Sequence, residues 1–246
     1  MTNPVSLIPA AINVVVTGLF AAMILAQYLR RHRIYQLYWS IALTMAFMAS
    51  VAYVAMLFLH PASRAGIMLF RMYYILGATL MPAWLGLGSI ALISKSVITR
   101  ICLTVLYLLS IGAIILVIMA KIDVARLSNI AGSPGTGILQ PGPWLAATIT
   151  LNTLGLLAVA GVAAYSGWKL WKRQASVAGL QTRHLLLANI LILAGTLLNG
   201  IAGSMARFLG IQNVFWLIMA VGWLVFFSGV VLTGRRAGRS VHSAVS

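Results

Sequence analysis

Residues 101–120 read ICLTVLYLLSIGAIILVIMA, a run of 20 residues without a charged side chain. An α-helix rises about 1.5 Å per residue, so this run matches the ~30 Å thickness of the hydrocarbon core of a bilayer. Soluble proteins carry about 25% charged residues to cover their surface. This 246-residue chain has only 7% charged residues and a mean hydropathy of +1.02. The run therefore predicts a membrane-spanning helix.

Six other apolar runs of comparable length accompany this one along the chain. Together they predict an all-α polytopic membrane protein, a bundle of seven transmembrane helices joined mostly by short loops. Residues 1–233 then form a single transmembrane domain, and residues 234–246 form a short basic cytoplasmic tail. The predicted spans are 5–29, 35–59, 68–94, 101–120, 144–168, 184–206 and 214–233.

The distribution of Lys and Arg predicts the orientation of these spans. Of the 17 basic residues, twelve fall on one side of the predicted membrane, and basic loops are retained in the cytoplasm. We therefore expect the N-terminus outside and the C-terminus inside, in the cell membrane of a bacterium, its inner membrane. No basic segment precedes the first span, which favours a retained helix over a signal peptide. The five residues on the outer side are Arg64, Arg71, Lys121, Arg126 and Arg207.

The scarcity of acidic residues excludes several kinds of chemistry. Asp123 is the one carboxylate in the chain and lies in the predicted outer loop, 121–143, so proton relays and acid/base catalysis by membrane carboxylates lack their residues. Cys102 is the one cysteine, and of the four histidines only His32 and His184 could share one depth, at a wet interface, which argues against a metal or haem site. The net charge of +16 lies at the ends of apolar runs, where lipid headgroups explain it without nucleic acid. We expect no enzyme activity.

The outer loop, 121–143, is the longest connection and is rich in glycine, proline and serine after residue 132. Such residues favour turns. Its first part alternates apolar and polar residues and predicts a short amphipathic turn at the membrane interface. Two interpretations remain open at this point, a loop that covers the outer mouth of the bundle and an ordinary mobile loop.

The third span carries the richest set of polar and aromatic residues. Arg71 and Tyr74 share a helical face, and Trp84 lies further along the same span. An arginine deep in a membrane costs from ~3 to more than 10 kcal/mol, so Arg71 needs a partner. Either it lies at the outer interface and snorkels, or it faces inward near Arg207 and Lys121. In the second case its partner is a backbone carbonyl, a Tyr hydroxyl, a lipid phosphate or an anionic ligand.

The sixth and seventh spans offer a seam of small and polar residues and an aromatic stripe. The seam runs through Gly200 and Gly203 to Arg207, and the stripe includes Trp223. Small residues and amides commonly stabilise contacts between membrane helices. Helix packing therefore explains both features, and the alternative is a pocket in which Trp223 forms an aromatic wall for an apolar ligand.

Seven crossings in this length, an outer N-terminus and short loops together resemble the layout of the microbial rhodopsins. That family binds retinal through a lysine in its last helix, and residues 214–233 contain no lysine. The resemblance therefore implies topology but excludes a covalent retinal, whereas a non-covalent apolar pigment or lipid is left open. Residues 71–88 also resemble a segment of uncharacterised bacterial multispan membrane proteins, which implies no particular activity.

These observations favour a receptor-like or carrier-like protein that binds a hydrophobic or amphipathic ligand. The alternatives are a structural or accessory subunit of a larger membrane complex and a transporter of anions or lipid heads. The expected partners are membrane lipids, a small amphipathic ligand and a protein subunit. The residues predicted to bind the ligand are Arg71, Tyr74, Trp84, Arg207 and Trp223.

Overall fold

The computed structural model describes residues 4–174 and 180–234, and in these ranges the protein is all-α apart from loops. Seven helical spans in the described residues are long and apolar enough to cross a membrane, as the predicted seven-helix bundle requires. The predicted tail at 234–246 lies outside the described residues after Gly234. The elements are α1 (Pro4–Arg31), α2 (Ile34–Phe58), α3 (Arg64–Tyr73), a π-helical segment (Tyr74–Leu80), α4 (Met81–Ile93), α5 (Ser96–Met119), α6 (Val124–Ser128), α7 (Pro143–Gln174), α8 (Leu180–Phe208) and α9 (Phe215–Gly234).

One end of the bundle is covered by residues 121–142, and we call this end the loop face. Asn13 of α1 donates a hydrogen bond to the carbonyl oxygen of Trp216 at 3.0 Å, and the Trp216 indole donates to the carbonyl oxygen of Ser133 at 3.4 Å. Both α1 and α9 therefore begin at the loop face. Each of these two helices crosses the bundle once, so both end at the opposite face.

The third span is built of α3, the π-helical segment and α4, and Pro82 explains the irregularity. Proline has no backbone N–H, and its ring collides with the carbonyl four residues earlier, here that of Ala78. The backbone widens instead, and the amide of Met81 donates to the carbonyl of Leu76, five residues back. The Asn152 side chain of α7 donates to the Ala78 oxygen at 2.7 Å and replaces the missing donor.

Glycines set the closest contacts between spans. A Cβ atom on Gly155 of α7 would lie 2.2 Å from the carbonyl oxygen of Pro82, so α7 and α4 touch backbone to backbone. A Cβ on Gly195 of α8 would lie 2.5 Å from the amide nitrogen of Phe226 in α9. These contacts draw α7 towards α4 and α8 towards α9, whereas α5 packs at the edge of the bundle, beside α4 and α7.

The loop from 121 to 142 is packed onto the bundle, as the covering interpretation expects. It contains α6, whose N-terminus is capped by the Asp123 side chain accepting a hydrogen bond from the Arg126 amide at 3.0 Å. Its apolar side chains join the same core cluster as Tyr53 and Trp216. The buried ones are Leu127, Ile130, Ile138 and Leu139.

Candidate functional site

A cavity of about 290 Å³ lies inside the bundle, on the side of the loop face. Its volume is at the lower end of the range for small-molecule sites, about 300–1,000 Å³. It is bounded by α1, α2, the third span, α7, α8 and α9, and by the loop. Helix α5 contributes no lining residue, so the cavity belongs to the packed centre of the bundle.

The deep part of the cavity is mostly apolar and partly aromatic, with Asn199 and Thr196 as its polar residues. Trp223 and Phe226 of α9 are both buried, with their ring centroids 6.0 Å apart in an edge-on arrangement. Phe20 packs against them from behind, 6.3 Å from Trp223 between centroids. An apolar group placed here loses water contact on several sides, which stabilises it by about 25 cal/mol per Å² buried. The other apolar residues of this part are Met81, Leu85, Val159 and Met219.

Arg207 supplies the one charge among the residues that line the cavity. Its guanidinium donates a hydrogen bond to the Tyr74 hydroxyl and lies 5.7 Å from the centroid of the Trp144 ring. Asp123, the single carboxylate of the chain, lies 3.3 Å from Arg126 in an exposed ion pair. Among the described residues, Arg207 therefore has no carboxylate partner. Its remaining N–H groups suit an anionic or polar ligand group.

Asn13 places an unpaired acceptor in the wall of the cavity. Its residue surface is 1% exposed, and its Nδ2 donates to the carbonyl oxygens of Pro9, at 2.8 Å, and Trp216. Its Oδ1 has no hydrogen-bond partner among the described residues, and neither has the buried Oδ1 of Asn199, also in the lining. A buried acceptor without a partner costs about 1–3 kcal/mol, so a ligand hydroxyl or water here is favoured.

The loop closes the end of the cavity at the loop face. Pro134 and Thr136 belong to the lining. The Tyr73 hydroxyl donates a hydrogen bond to the carbonyl oxygen of Pro134 at 3.1 Å. The Tyr53 hydroxyl donates to the carbonyl oxygen of Ser133 at 2.8 Å. The Thr136 hydroxyl donates to the carbonyl oxygen of Ala206 at 3.2 Å. These bonds tie the covering loop to three different spans.

The wall between α7 and α8 is open on the loop side. Further from the loop face the two helices meet, because a Cβ on Gly200 would lie 3.0 Å from a methyl carbon of Leu156. Closer to the loop face they diverge, and a Cβ on Gly203 would meet no atom within 4 Å. Thr153 and Ser204 on either side of this gap are exposed although they line the cavity. We call this opening the α7–α8 gap.

The structure brings three of the five predicted site residues together. Tyr74, Arg207 and Trp223 line the cavity. Arg71 is half-buried outside the lining, where its guanidinium donates to the carbonyl oxygens of Ile118 and, at 3.3 Å, Ala120 at the end of α5. Trp84 is also outside the lining, and its indole nitrogen donates to the Ser110 hydroxyl of α5 at 3.3 Å.

Sequence reasoning missed two residues that shape the cavity. Asn13 was indistinguishable from a residue that packs helices, although an asparagine in an otherwise apolar first span was a visible signal. Trp144 begins the fifth span, where tryptophans usually mark the membrane interface, and its contact with Arg207 depends on tertiary structure.

We compared the chain with protein-family models, with curated proteins and with solved structures, and found no match in any of the three comparisons.

Proposed function

We propose that this protein is a receptor-like or carrier-like binder of a hydrophobic or amphipathic ligand in a cell membrane. The observation that carries the proposal is the central cavity, which combines one cationic residue, Arg207, with an apolar end at Trp223 and Phe226. This polarity matches a molecule with one polar and one apolar end. In the described part of the chain the one acidic side chain, Asp123, is paired with Arg126 and does not neutralise Arg207.

Native mass spectrometry of the gently purified full chain, with an absorption spectrum, tests this proposal. We expect a non-covalent adduct that collisional activation releases, and an absorption band beyond the aromatic range if the ligand is a pigment. In Gly203→Trp, a side chain placed in open space at the cavity should displace the adduct. Gly112→Trp is the matched control, since Gly112 also has open space but lies on α5.

The alternatives give different spectra in the same measurement. If the protein is an accessory subunit, the spectrum shows a complex with a companion protein, and Gly203→Trp does not change the mass of that complex. A transporter of small anions retains neither a pigment nor a chain-bearing molecule. An adduct that survives equally in Gly203→Trp and Gly112→Trp contradicts binding in the cavity.

The proposal includes an orientation, with the loop face and the N-terminus outside the cell. It rests on the unequal distribution of basic residues in the sequence. In a Cys102→Ser background, single cysteines at exposed Ser128 on the loop and at exposed Ser96 at the opposite face can be compared in intact cells. A membrane-impermeant thiol reagent should label the cysteine at 128 and spare that at 96. The reverse pattern overturns the orientation.

A further inference from the structure

We propose that the ligand is a single-chain amphiphile with an anionic oxygen head, a carboxylate or phosphate, and that it enters from the bilayer through the α7–α8 gap. This inference rests on the proposed function and specifies the ligand class and its route. The head lies at Arg207, and the chain extends towards Trp223 and Phe226.

The charge of the cavity indicates an anionic head group for the ligand. Arg207 is the one charged residue in the lining, and the single carboxylate of the chain is paired with Arg126. A guanidinium has five N–H donors in a planar fork that suits the paired oxygens of a carboxylate or phosphate. Tyr74 accepts from one of these donors and Trp144 covers the group, which holds it in place and leaves other donors for a ligand.

The shape of the cavity indicates that the ligand carries an alkyl chain. Its lining runs along α9 from Phe215 and Trp216 beside the loop to Phe226, a helical distance of about 15 Å. The charged group, Arg207, lies near the loop face, and the far end is formed mostly by apolar and aromatic side chains, with Asn199 and Thr196 of α8 beside them. A compact inorganic ion would leave this apolar part empty, whereas an alkyl chain fills it.

The position of the α7–α8 gap indicates the route by which the ligand enters the cavity. The loop face is closed by Pro134 and Thr136 and by the hydrogen bonds that tie the loop to the spans. The α7–α8 gap is instead lateral. Gly203 lies five residues before the end of α8, about 7.5 Å along the helix, so the gap faces the leaflet on the loop side. An amphiphile in that leaflet already has its head at the depth of Arg207.

A second observation inside the cavity also points to a ligand. The Asn13 Oδ1 is buried, belongs to the lining and has no hydrogen-bond partner among the described residues. A protonated head oxygen or a water carried with the head can donate to it. The need for such a donor is independent of the charge on Arg207.

Binding of tritiated probes by the full chain in nanodiscs of neutral phosphatidylcholine tests the head and the chain separately. Dodecanoate and dodecyl phosphate share one chain with the neutral 1-dodecanol, and inorganic phosphate has no chain. We expect both anionic amphiphiles to bind at least tenfold more tightly than dodecanol, a difference of ~1.4 kcal/mol. Inorganic phosphate should neither bind nor compete at the same concentrations.

Substitutions of two arginines separate the site from general surface charge. Arg207→Gln should abolish the preference for the anionic probes, and Arg207→Lys should retain part of it with similar stability. Arg64→Gln is the matched control, because Arg64 is exposed near the loop face and outside the lining. It should keep the full preference.

Rates of binding test the route. Gly203→Leu places a side chain in the α7–α8 gap, and Gly112→Leu places the same side chain on the outer face of α5. We expect the association and dissociation rates of dodecanoate to fall together, at least fivefold, in Gly203→Leu and to stay unchanged in Gly112→Leu. Unchanged rates in both variants overturn the lateral route.

The outcomes distinguish this inference from the proposed function. If dodecanol binds as tightly as dodecanoate and Arg207→Gln has no effect, the anionic head is wrong while binding in the cavity stands. If inorganic phosphate competes as strongly as dodecyl phosphate, the chain is wrong and an anion transporter is favoured. If a native adduct is present but none of the four probes binds, the ligand class is wrong. If no adduct is present either, the proposed function fails.

Discussion

Two glycines on neighbouring spans, Gly155 of α7 and Gly203 of α8, have opposite surroundings. At Gly155 the backbone of α4 lies so close that a Cβ would be 2.2 Å from the Pro82 oxygen, whereas Gly203 faces open space. Both belong to stretches of small and polar residues that suggest helix packing in the sequence. A small residue in a membrane helix therefore marks either a close contact or an opening.

The helix contacts near Gly155 mark where the opening at Gly203 ends. Helix α7 is held against α4 by the close approach at Gly155 and by the hydrogen bond from Asn152 to the Ala78 oxygen. Helix α8 is held against α9 at Gly195. At the depth of Gly155, α7 also meets α8 through Leu156 and Gly200, and the opening lies on the loop side of that contact.

The largest expected effect is that of Gly155→Leu. A side chain here collides with backbone atoms of α4, which cannot turn aside as a side chain can, so the free energy of unfolding should fall by about 3 kcal/mol. For a chain of this length that corresponds to a thermal midpoint lower by roughly 10 °C. Thermal unfolding of the purified protein in detergent measures it. Gly203→Leu, the matched control, should stay within about 2 °C of the native chain; equal losses in the two variants contradict the comparison.

A smaller effect is expected at the π-helical segment. Asn152→Leu leaves the Ala78 carbonyl without a donor, which should cost about 1–2 kcal/mol. In a Pro82→Ala background the restored amide can bond that carbonyl, so Asn152→Leu should then cost less than about 0.5 kcal/mol. A double-mutant cycle from thermal unfolding gives the coupling. If Asn152→Leu costs the same in both backgrounds, proline is not the cause of the irregular helix.

Replacing Arg71 or Arg207 by glutamine should change different properties, stability in the first case and ligand affinity in the second, each by about 1 kcal/mol. Arg71→Gln removes a cation and hydrogen bonds from the carbonyl end of α5, which should lower stability by about 0.5–1.5 kcal/mol and leave dodecanoate affinity within twofold. Arg207→Gln should lower that affinity at least tenfold. Thermal unfolding and probe binding measured on the same samples compare them. A tenfold loss of affinity in Arg71→Gln restores Arg71 to the binding site.

The smallest effect is expected at the one carboxylate. Asp123 caps α6 and pairs with exposed Arg126, and asparagine caps a helix about as well, so Asp123→Asn should cost less than about 0.5 kcal/mol. Any transport activity in liposomes should continue, since no proton passes through this residue. Complete loss of a measured proton flux in Asp123→Asn would show that the acid has a coupling role.

The sequence was informative about the spans and much less about the cavity. Uninterrupted apolar runs such as 101–120 are sufficient to predict membrane-spanning helices, because every backbone group in a bilayer must be bonded within its helix. Pro82 was visible, but the bond from Asn152 that completes the third span joins residues 74 positions apart. Periodicity placed Arg71 and Tyr74 on one face, but Arg71 binds the last carbonyls of α5, and of the two residues only Tyr74 lines the cavity.

Contacts between spans decide whether a residue lines the site or only packs helices together. Trp84 had the same features as Trp223 in the sequence, an indole in an apolar span beside glycines. The Trp84 ring faces α5 and bonds Ser110, while Trp223 faces the centre between α1 and α9. No local pattern records which side of a span another helix covers, so the two tryptophans could not be separated before the structure.

Photo-crosslinking is the most direct measurement of the central claim, that an amphiphile occupies the cavity between α7, α8 and α9. A dodecanoate analogue with a diazirine at the end of its chain is activated in nanodiscs, and labelled peptides are mapped by mass spectrometry. We expect the label on residues of the apolar end, Met219, Trp223 and Phe226, with loss of labelling when unlabelled dodecanoate is added in excess. Labelling confined to the lipid-facing residues of α5, and unaffected by the competitor, would contradict the claim.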